Sequence, residues 1–349
     1  MSETKLGIGI ITYNRVESLT KTINEIFKNT SCPFDFIVAD DGSTDETLEY
    51  LANSEVNYIS GKNKGISWNR NRAIWHLKNE RKCQQIIIFE DDCFPNAFGW
   101  EQEWISAINM YGHINYMPDV TLELDNDVSS GEGTAANPFI APMHQAFCVG
   151  YHANALDYVG YLDTRFVKYG EEHVEHTHRF LRAGYGGLLQ KHTPERGQLY
   201  FLKGGLDVTP STSHGNHDIA MLNQRIHESI KYDQIYRSPW TSDDEMFEFR
   251  SEIDRYHQTN SVIDQKKRYD CVVYLGSDKT YLESIKNIAN CEIIELLQGI
   301  IVPNANLERS IRSEFAGFFQ SDCPYSYHDA IRCRDTLCIY TDFKKIEFR

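Results

Sequence analysis

The run Gln84–Asp92, QQIIIFEDD, constrains this chain more than any other stretch. Four consecutive apolar residues, Ile86, Ile87, Ile88 and Phe89, stop at three adjacent carboxylates, Glu90, Asp91 and Asp92. A β-branched run without alternation reads as a strand buried on both faces, as in sheets covered by helices on each side. Such sheets bind ligands beyond the carboxyl ends of their strands, so the three acids stand where a ligand is expected. Adjacent carboxylates disfavour one another's ionisation unless a cation lies between them. A hard divalent ion follows: magnesium, calcium or manganese rather than zinc, with magnesium usually held by one or two carboxylates plus substrate phosphates. The competing reading is a solvated acidic turn.

The remaining elements alternate in the α/β manner. Lys5–Thr12 reads as a first buried strand, Tyr13-Asn14-Arg15 as a turn, and residues 16–28 as a helix with Leu19, Ile23, Ile26 and Phe27 on one face. Phe34–Ala39 is a second strand ending in Asp40-Asp41-Gly42-Ser43-Thr44-Asp45. Thr44 and Asp45 suit the cap of the next helix, whereas Asp40 and Asp41 suit recognition of a base or ribose. A third short strand, Val56–Ile59, precedes Asn63–Arg72, a loop entering a helix that runs on to Leu77. Basic residues and free N–H groups at a helix start make an anion site, so this segment either faces a diphosphate or is an ordinary surface helix.

Residues 97–111 form an amphipathic helix whose Trp100, Trp104, Ile108 and Tyr111 belong to the core. Residues 123–138, rich in Gly and Ser, form a loop that serves as a lid or a plain connection. A strand at 146–150 and a helix at 152–159 lead to Gly170–Tyr185, a helix dense in acids and histidines at its start and stopped by Gly184. A partly desolvated carboxylate at that start has the raised pKa of a general base.

Composition removes some function classes. A net charge of -15 argues against nonspecific nucleic-acid binding, which needs a basic surface. No apolar stretch approaches the roughly 20 residues that span a bilayer. The start MSETKLGIGIITYN lacks the features of a signal peptide, so a cytoplasmic protein is expected. The nine cysteines lack zinc-site spacing and read as free thiols.

Together the stretches TYNR, VADDGSTDET, Asn63-x-Gly65-x(4)-Arg70-Asn71, FEDD, VGYLDTRF and GEEHVEHTHRFLRAGY resemble, in that order, the inverting family-2 glycosyltransferases. The resemblance covers about residues 5–185 and implies a GT-A fold: a Rossmann-like, mostly parallel sheet flanked by helices. It implies a nucleoside-diphosphate sugar as donor, UDP being the expected carrier, a glycan or glycoconjugate hydroxyl as acceptor, and Mn2+ or Mg2+ as cofactor. By the same resemblance Asp41 contacts the nucleobase with Asp40 beside it, Asp92 binds the metal, and Asp91 and Glu90 lie at the ribose or just behind. Thr12, Asn14, Arg15, Asn63, Gly65 and Arg70 complete the nucleotide-sugar site. The family's base, usually Asp in a Gly-Glu-Asp motif, falls on Glu172 or on His173 depending on the alignment, with Glu172 preferred because it remains a carboxylate. The family's late metal histidine corresponds to His214, with His217 as rival.

The glycosyltransferase domain is expected over residues 1–240, and residues 241–349 as a smaller α/β appendage that binds acceptor, drives self-association into a homo-oligomer or buries one sheet edge. Two rival functions stand beside this one. A sugar nucleotidyltransferase would open with a Gly-rich basic loop, which Thr12–Arg15 lacks; a nucleotide-sugar or glycan binding module would have lost its base.

Overall fold

The computed structural model describes residues 5–264 apart from 55, 120, 122–129, 143–144, 191–192 and 210–215, and beyond them only short strands between 271 and 348. The elements begin with β1 (Leu6–Thr12), α1 (Val16–Asn29), β2 (Phe34–Asp40), α2 (Thr47–Asn53), β3 (Tyr58–Ser60), α3 (Ile66–Trp75) and β4 (Gln85–Glu90). Helix α3 runs on into a wider π turn, His76–Glu80. These four strands are parallel, in the order β3-β2-β1-β4. Each crossover carries one helix or helix pair, which is how parallel strands must be joined.

The chain continues through β5 (Cys93–Pro95), α4 (Glu101–Tyr111), β6 (His113–Tyr116), β7 (Phe139–Ala141), β8 (Cys148–His152), α5 (Ala153–Val159) and α6 (Glu172–Arg182). Then come β9 (Gly187–Gln190), β10 (Thr193–Leu202), β11 (Leu206–Val208), α7 (His217–Ile230) and α8 (Asp243–Asp264). Strand β8 enters the sheet antiparallel between β4 and β6, and β10, β7 and β9 extend the far edge. The result is the mixed, mostly parallel α/β sheet expected of a GT-A domain.

The strand pattern sorts side chains onto two cores. Ile87 and Phe89 of β4 pack with Ile8, Ile10, Leu19, Ile23, Trp100, Trp104 and Ile108 on the face covered by α1 and α4. Ile86 and Ile88 point the other way, to Trp68, Ala73, Ile74, Leu77, Tyr151 and Phe180. A continuous apolar run therefore feeds both faces, as expected of a central strand. On β1, Gly7 and Gly9 face the α3 layer; a Cβ there would lie 2.8 Å from Cys83 Sγ or from the Ile88 methyl. Glycine lets α3 settle close on the strand that ends at the site. The aromatics of α4 are core, as expected, though the helix starts at Glu101 because Gly99, at φ +77°, turns the chain before it.

The chain divides into two compact units, Met1–Gln258 and Thr259–Arg349. The division drawn from the sequence at 240 differs because α8 holds Phe249 and Ile253 in the main core, with Phe249 edge-on to Trp68 and Trp75. The second unit contains a three-stranded sheet of Cys271–Leu275, Leu337–Thr341 and Lys344–Phe348, and a two-stranded one of Ile294–Glu295 and Ile301–Val302. Residues 279–289, whose sequence reads as a helix between the strands of this appendage, lie outside the described residues. Among the described residues no helix is long and apolar enough to cross a membrane.

Candidate active site

Parallel register brings the acids together. Thr12, the last residue of β1, is level with Asp40 of β2, and Ile11 is level with Glu90 of β4. Asp41 and Asp92 therefore stand on the same rim, one strand to either side of β1. Asp41 donates its backbone N–H to Thr12 O at 3.0 Å.

The acid loop is fixed from α1. Ser18 and Thr22 donate to Asp91 O at 2.9 and 2.8 Å, and Thr12 Oγ1 donates to Asp91 Oδ2 at 2.7 Å. Arg15 Nη1 bridges Asp91 Oδ1 at 2.7 Å and Asp92 Oδ2 at 2.9 Å. Burial pushes the Asp91 carboxyl up to about 7, against the opposing pull of Arg15 and Thr12. Glu90 is ion-paired with Arg70, which also donates to Ala146 O at 2.7 Å. Arg70 is fully buried, so the guanidinium that the sequence pointed at a diphosphate is packed behind Glu90.

On the other side of β1 the acids organise loops. The Asp40 carboxylate accepts from Gly42 N, Ser43 N and Ser60 Oγ, the last at 2.6 Å. Asp41 accepts from Lys64 N at 2.9 Å, Gly65 N at 2.8 Å and Arg72 Nη1 at 3.2 Å. Asn14, in the left-handed region at φ +53°, accepts at Oδ1 from Thr44 N at 2.6 Å and Asp45 N at 3.3 Å. Asp45 in turn accepts from Thr47 N at 3.0 Å, although the cap residue of α2 is Glu46 rather than the expected Thr44 or Asp45. Gly65 sits at φ +92° with Lys168 so near that a Cβ would meet its backbone nitrogen at 2.8 Å. Asn63 is exposed.

The close approach at Gly65 joins the nucleotide side to the helix carrying the candidate base. Ile66 N donates to Lys168 O at 2.8 Å. Buried Asn223, from α7, holds the same loop through Val167 N, Val167 O and Tyr169 O at 2.8–2.9 Å. At its end Glu171, at φ +71°, is paired with His227 at 2.6 Å. Glu172 opens α6 and is 5% exposed. Burial raises its carboxyl to about 7; the Arg70 charge and the N–H groups of Glu172 and Gly170 oppose that shift, and Glu90 reinforces it. Its Oε2 is buried without a hydrogen-bond partner. His173 is also buried beside it. Of the late histidines, His214 lies outside the described residues, and His217 is exposed at the start of α7.

The rim fits a divalent cation of the hard, phosphate-assisted kind. Asp92 Oδ1 is buried with no hydrogen-bond partner. Among the described residues no three His, Cys, Asp or Glu side chains converge as a complete cage. A magnesium-type site needs only one or two carboxylates when phosphates supply the rest.

Residues 8–117, which carry the whole acid rim, match the family model for glycosyl transferase family 2. No curated protein matches the chain in sequence. Among solved structures, the mannosyltransferase PcManGT from Pyrobaculum calidifontis, in complex with GDP-Man and Mn2+, is similar at 14% identity, over 52% of each chain, with a TM-score of 0.39. GalNAc-T7 with UDP, GalNAc and Mn2+ is similar at 14% identity over 64% of this chain and 48% of its own, TM-score 0.45. S. aureus TarS 1-349 is similar at 16% identity over 65% and 72%, TM-score 0.41. The chain thus spans about half the length of the first two.

Sequence reasoning missed how residues 8–117 are braced from outside themselves. Glu252 of α8, 1% exposed, accepts from Arg72 Nε at 2.9 Å, Arg72 Nη2 at 3.0 Å and Trp68 Nε1 at 2.9 Å. Glu248, one turn earlier, pairs with Lys64 and Lys62. A signal existed: Phe249, Ile253 and Tyr256 recur at helical spacing, which marks one face of α8 for burial.

Proposed function

We propose that the chain is a metal-dependent, inverting glycosyltransferase that moves a sugar from a nucleoside diphosphate, expected to be UDP, to a hydroxyl of a glycan or glycoconjugate. The match of residues 8–117 to the family-2 model supports the reaction class. Glu172 carries the reading of the chemistry: a desolvated carboxyl near pKa 7 with one unpartnered oxygen, in electrostatic reach of the acid rim. A general base works best when its pKa lies near the operating pH.

In this reading Glu172 Oε2 takes the proton from the acceptor hydroxyl as that hydroxyl attacks the anomeric carbon from the face opposite the leaving diphosphate. A single base with no covalent intermediate inverts the configuration. Arg70 holds Glu90 and, through its charge, keeps part of Glu172 ionised at neutral pH. Asp92, with Asp91 beside it, would hold Mn2+ or Mg2+, which when bound supplies positive charge against the departing diphosphate. Thr12, Ser18 and Thr22 keep the acid loop in place without reorganisation. Asn14, Asp41 and Gly65 form the seam against which the nucleoside lies, with Asp40 closing the turn beneath. His173 is the alternative base, and His214 the candidate for a further metal ligand.

The test is sugar transfer from a panel of nucleotide sugars with Mn2+, by wild type, Asp92→Ala and Glu172→Gln. Loss of metal-dependent transfer in Asp92→Ala with the fold intact supports the reading. Retained transfer in that variant, or full activity in chelator, refutes it. An active Glu172→Gln beside an inactive His173→Ala moves the base to His173.

A further inference from the structure

The rim holds two arginines of different kinds. Arg70 is fully buried and anchored by Glu90 and the Ala146 carbonyl, so it is a permanent part of the floor. Arg15 has a side chain 33% exposed, and one nitrogen, Nη1, makes both its bonds to Asp91 and Asp92. That nitrogen stands between the two carboxylates that would take a divalent ion. A guanidinium and a metal cannot share this position, because like charges a few ångströms apart repel strongly where burial lowers the dielectric.

Resting on the metal-dependent reading above, we propose that Arg15 is an internal counter-ion that fills the cation position of the acid rim and is displaced when metal and nucleoside diphosphate bind together. Displacement is open to Arg15 because its side chain already reaches solvent and the residue is the N-cap of α1, held to the helix by its backbone carbonyl and not by its side chain. The released guanidinium stays at a helix N-terminus, where N–H groups and a planar five-donor fork suit phosphate oxygens. Charge argues for joint arrival. Metal alone would leave Arg15 expelled without a partner, whereas the diphosphate both ligates the ion and receives the arginine. The exchange leaves Asp91 with its Thr12 bond and frees Asp92 Oδ2, next to the unpartnered Oδ1, for the ion.

The experiment measures Mn2+ binding to the full chain by the loss of the free Mn2+ electron paramagnetic resonance signal. Wild type, Arg15→Gln and Arg15→Ala are titrated with Mn2+ alone, then with Mn2+ plus UDP or GDP. We expect both variants to bind Mn2+ alone about tenfold or more tighter than wild type. Wild type should gain more from nucleotide than the variants do. Equal affinity of wild type and both variants for Mn2+ alone overturns the counter-ion role while leaving metal dependence standing, provided that nucleotide still promotes binding. Absence of Mn2+ binding in every form, with or without nucleotide, overturns the metal-dependent reading and this inference with it.

Discussion

Glu172 shows how one residue's surroundings set its chemistry. Its folded pKa of about 7 lies above the ordinary Glu value of roughly 4.3, because burial penalises the charged form more than Arg70 and nearby N–H groups favour it. Two outcomes follow with defined sign. As the base it must be ionised, so kcat/KM should rise with pH and level off above about 7, and Glu172→Gln should lower the rate by about 10²–10⁴-fold while nucleotide binding, read by thermal shift, persists. In the folded state the proton is held more tightly than in the unfolded chain. The stability that Glu172 contributes is therefore present below about 4 and is lost as pH rises through about 7. Thermal melts of wild type and Glu172→Gln should diverge across that window, with the variant gaining relative stability toward pH 8; parallel melts would refute the burial argument.

At the scale of elements, α8 decides how firmly the nucleotide side of the rim is held. Its Glu252 neutralises Arg72, which also reaches Asp41, Asp40 O and Lys62 O. Removing one partner of a buried ion pair leaves an uncompensated charge and costs about 3–5 kcal/mol. Glu252→Ala should therefore lose stability on that order in denaturant unfolding, and nucleotide affinity should fall with it because the 61–65 loop loses its brace. Gly65→Ala tests the other seam. A Cβ at φ +92°, 2.8 Å from Lys168 N, has no room against backbone. The variant should separate α3 from the loop leading to Glu172, so that kcat falls more than nucleotide affinity. Much of this layer was legible: the strands at 6–12, 34–40 and 85–90, the α1 and α6 helices, and the Gly184 stop follow from periodicity and end signals. Glu252 was not, because a lone acid in an acidic helix carries no mark of its partner 180 residues away.

For the whole molecule, the compact unit ending at Gln258 predicts where the chain can be cut. A fragment ending at 264 should fold and bind nucleotide, whereas one ending at 240 loses Phe249, Glu252 and Ile253 from buried positions and should be unfolded or melt far lower. Circular dichroism melts of the two fragments check this. Equal stability would show that α8 is dispensable and would restore the division at 240.

The amino-acid sequence alone determined that several strands end in acids on one side of a helix-covered sheet, because burial on two faces writes a continuous apolar run and its end is marked by charge. It also placed a carboxylate at the head of the acid-rich helix. The tertiary structure alone decided which charges meet: Arg70 behind Glu90, Arg15 between Asp91 and Asp92, Arg72 between Asp41 and Glu252. Local spacing fixes which face of an element a side chain occupies, but an ion pair across the fold depends on how separate elements pack, and no short-range pattern encodes that.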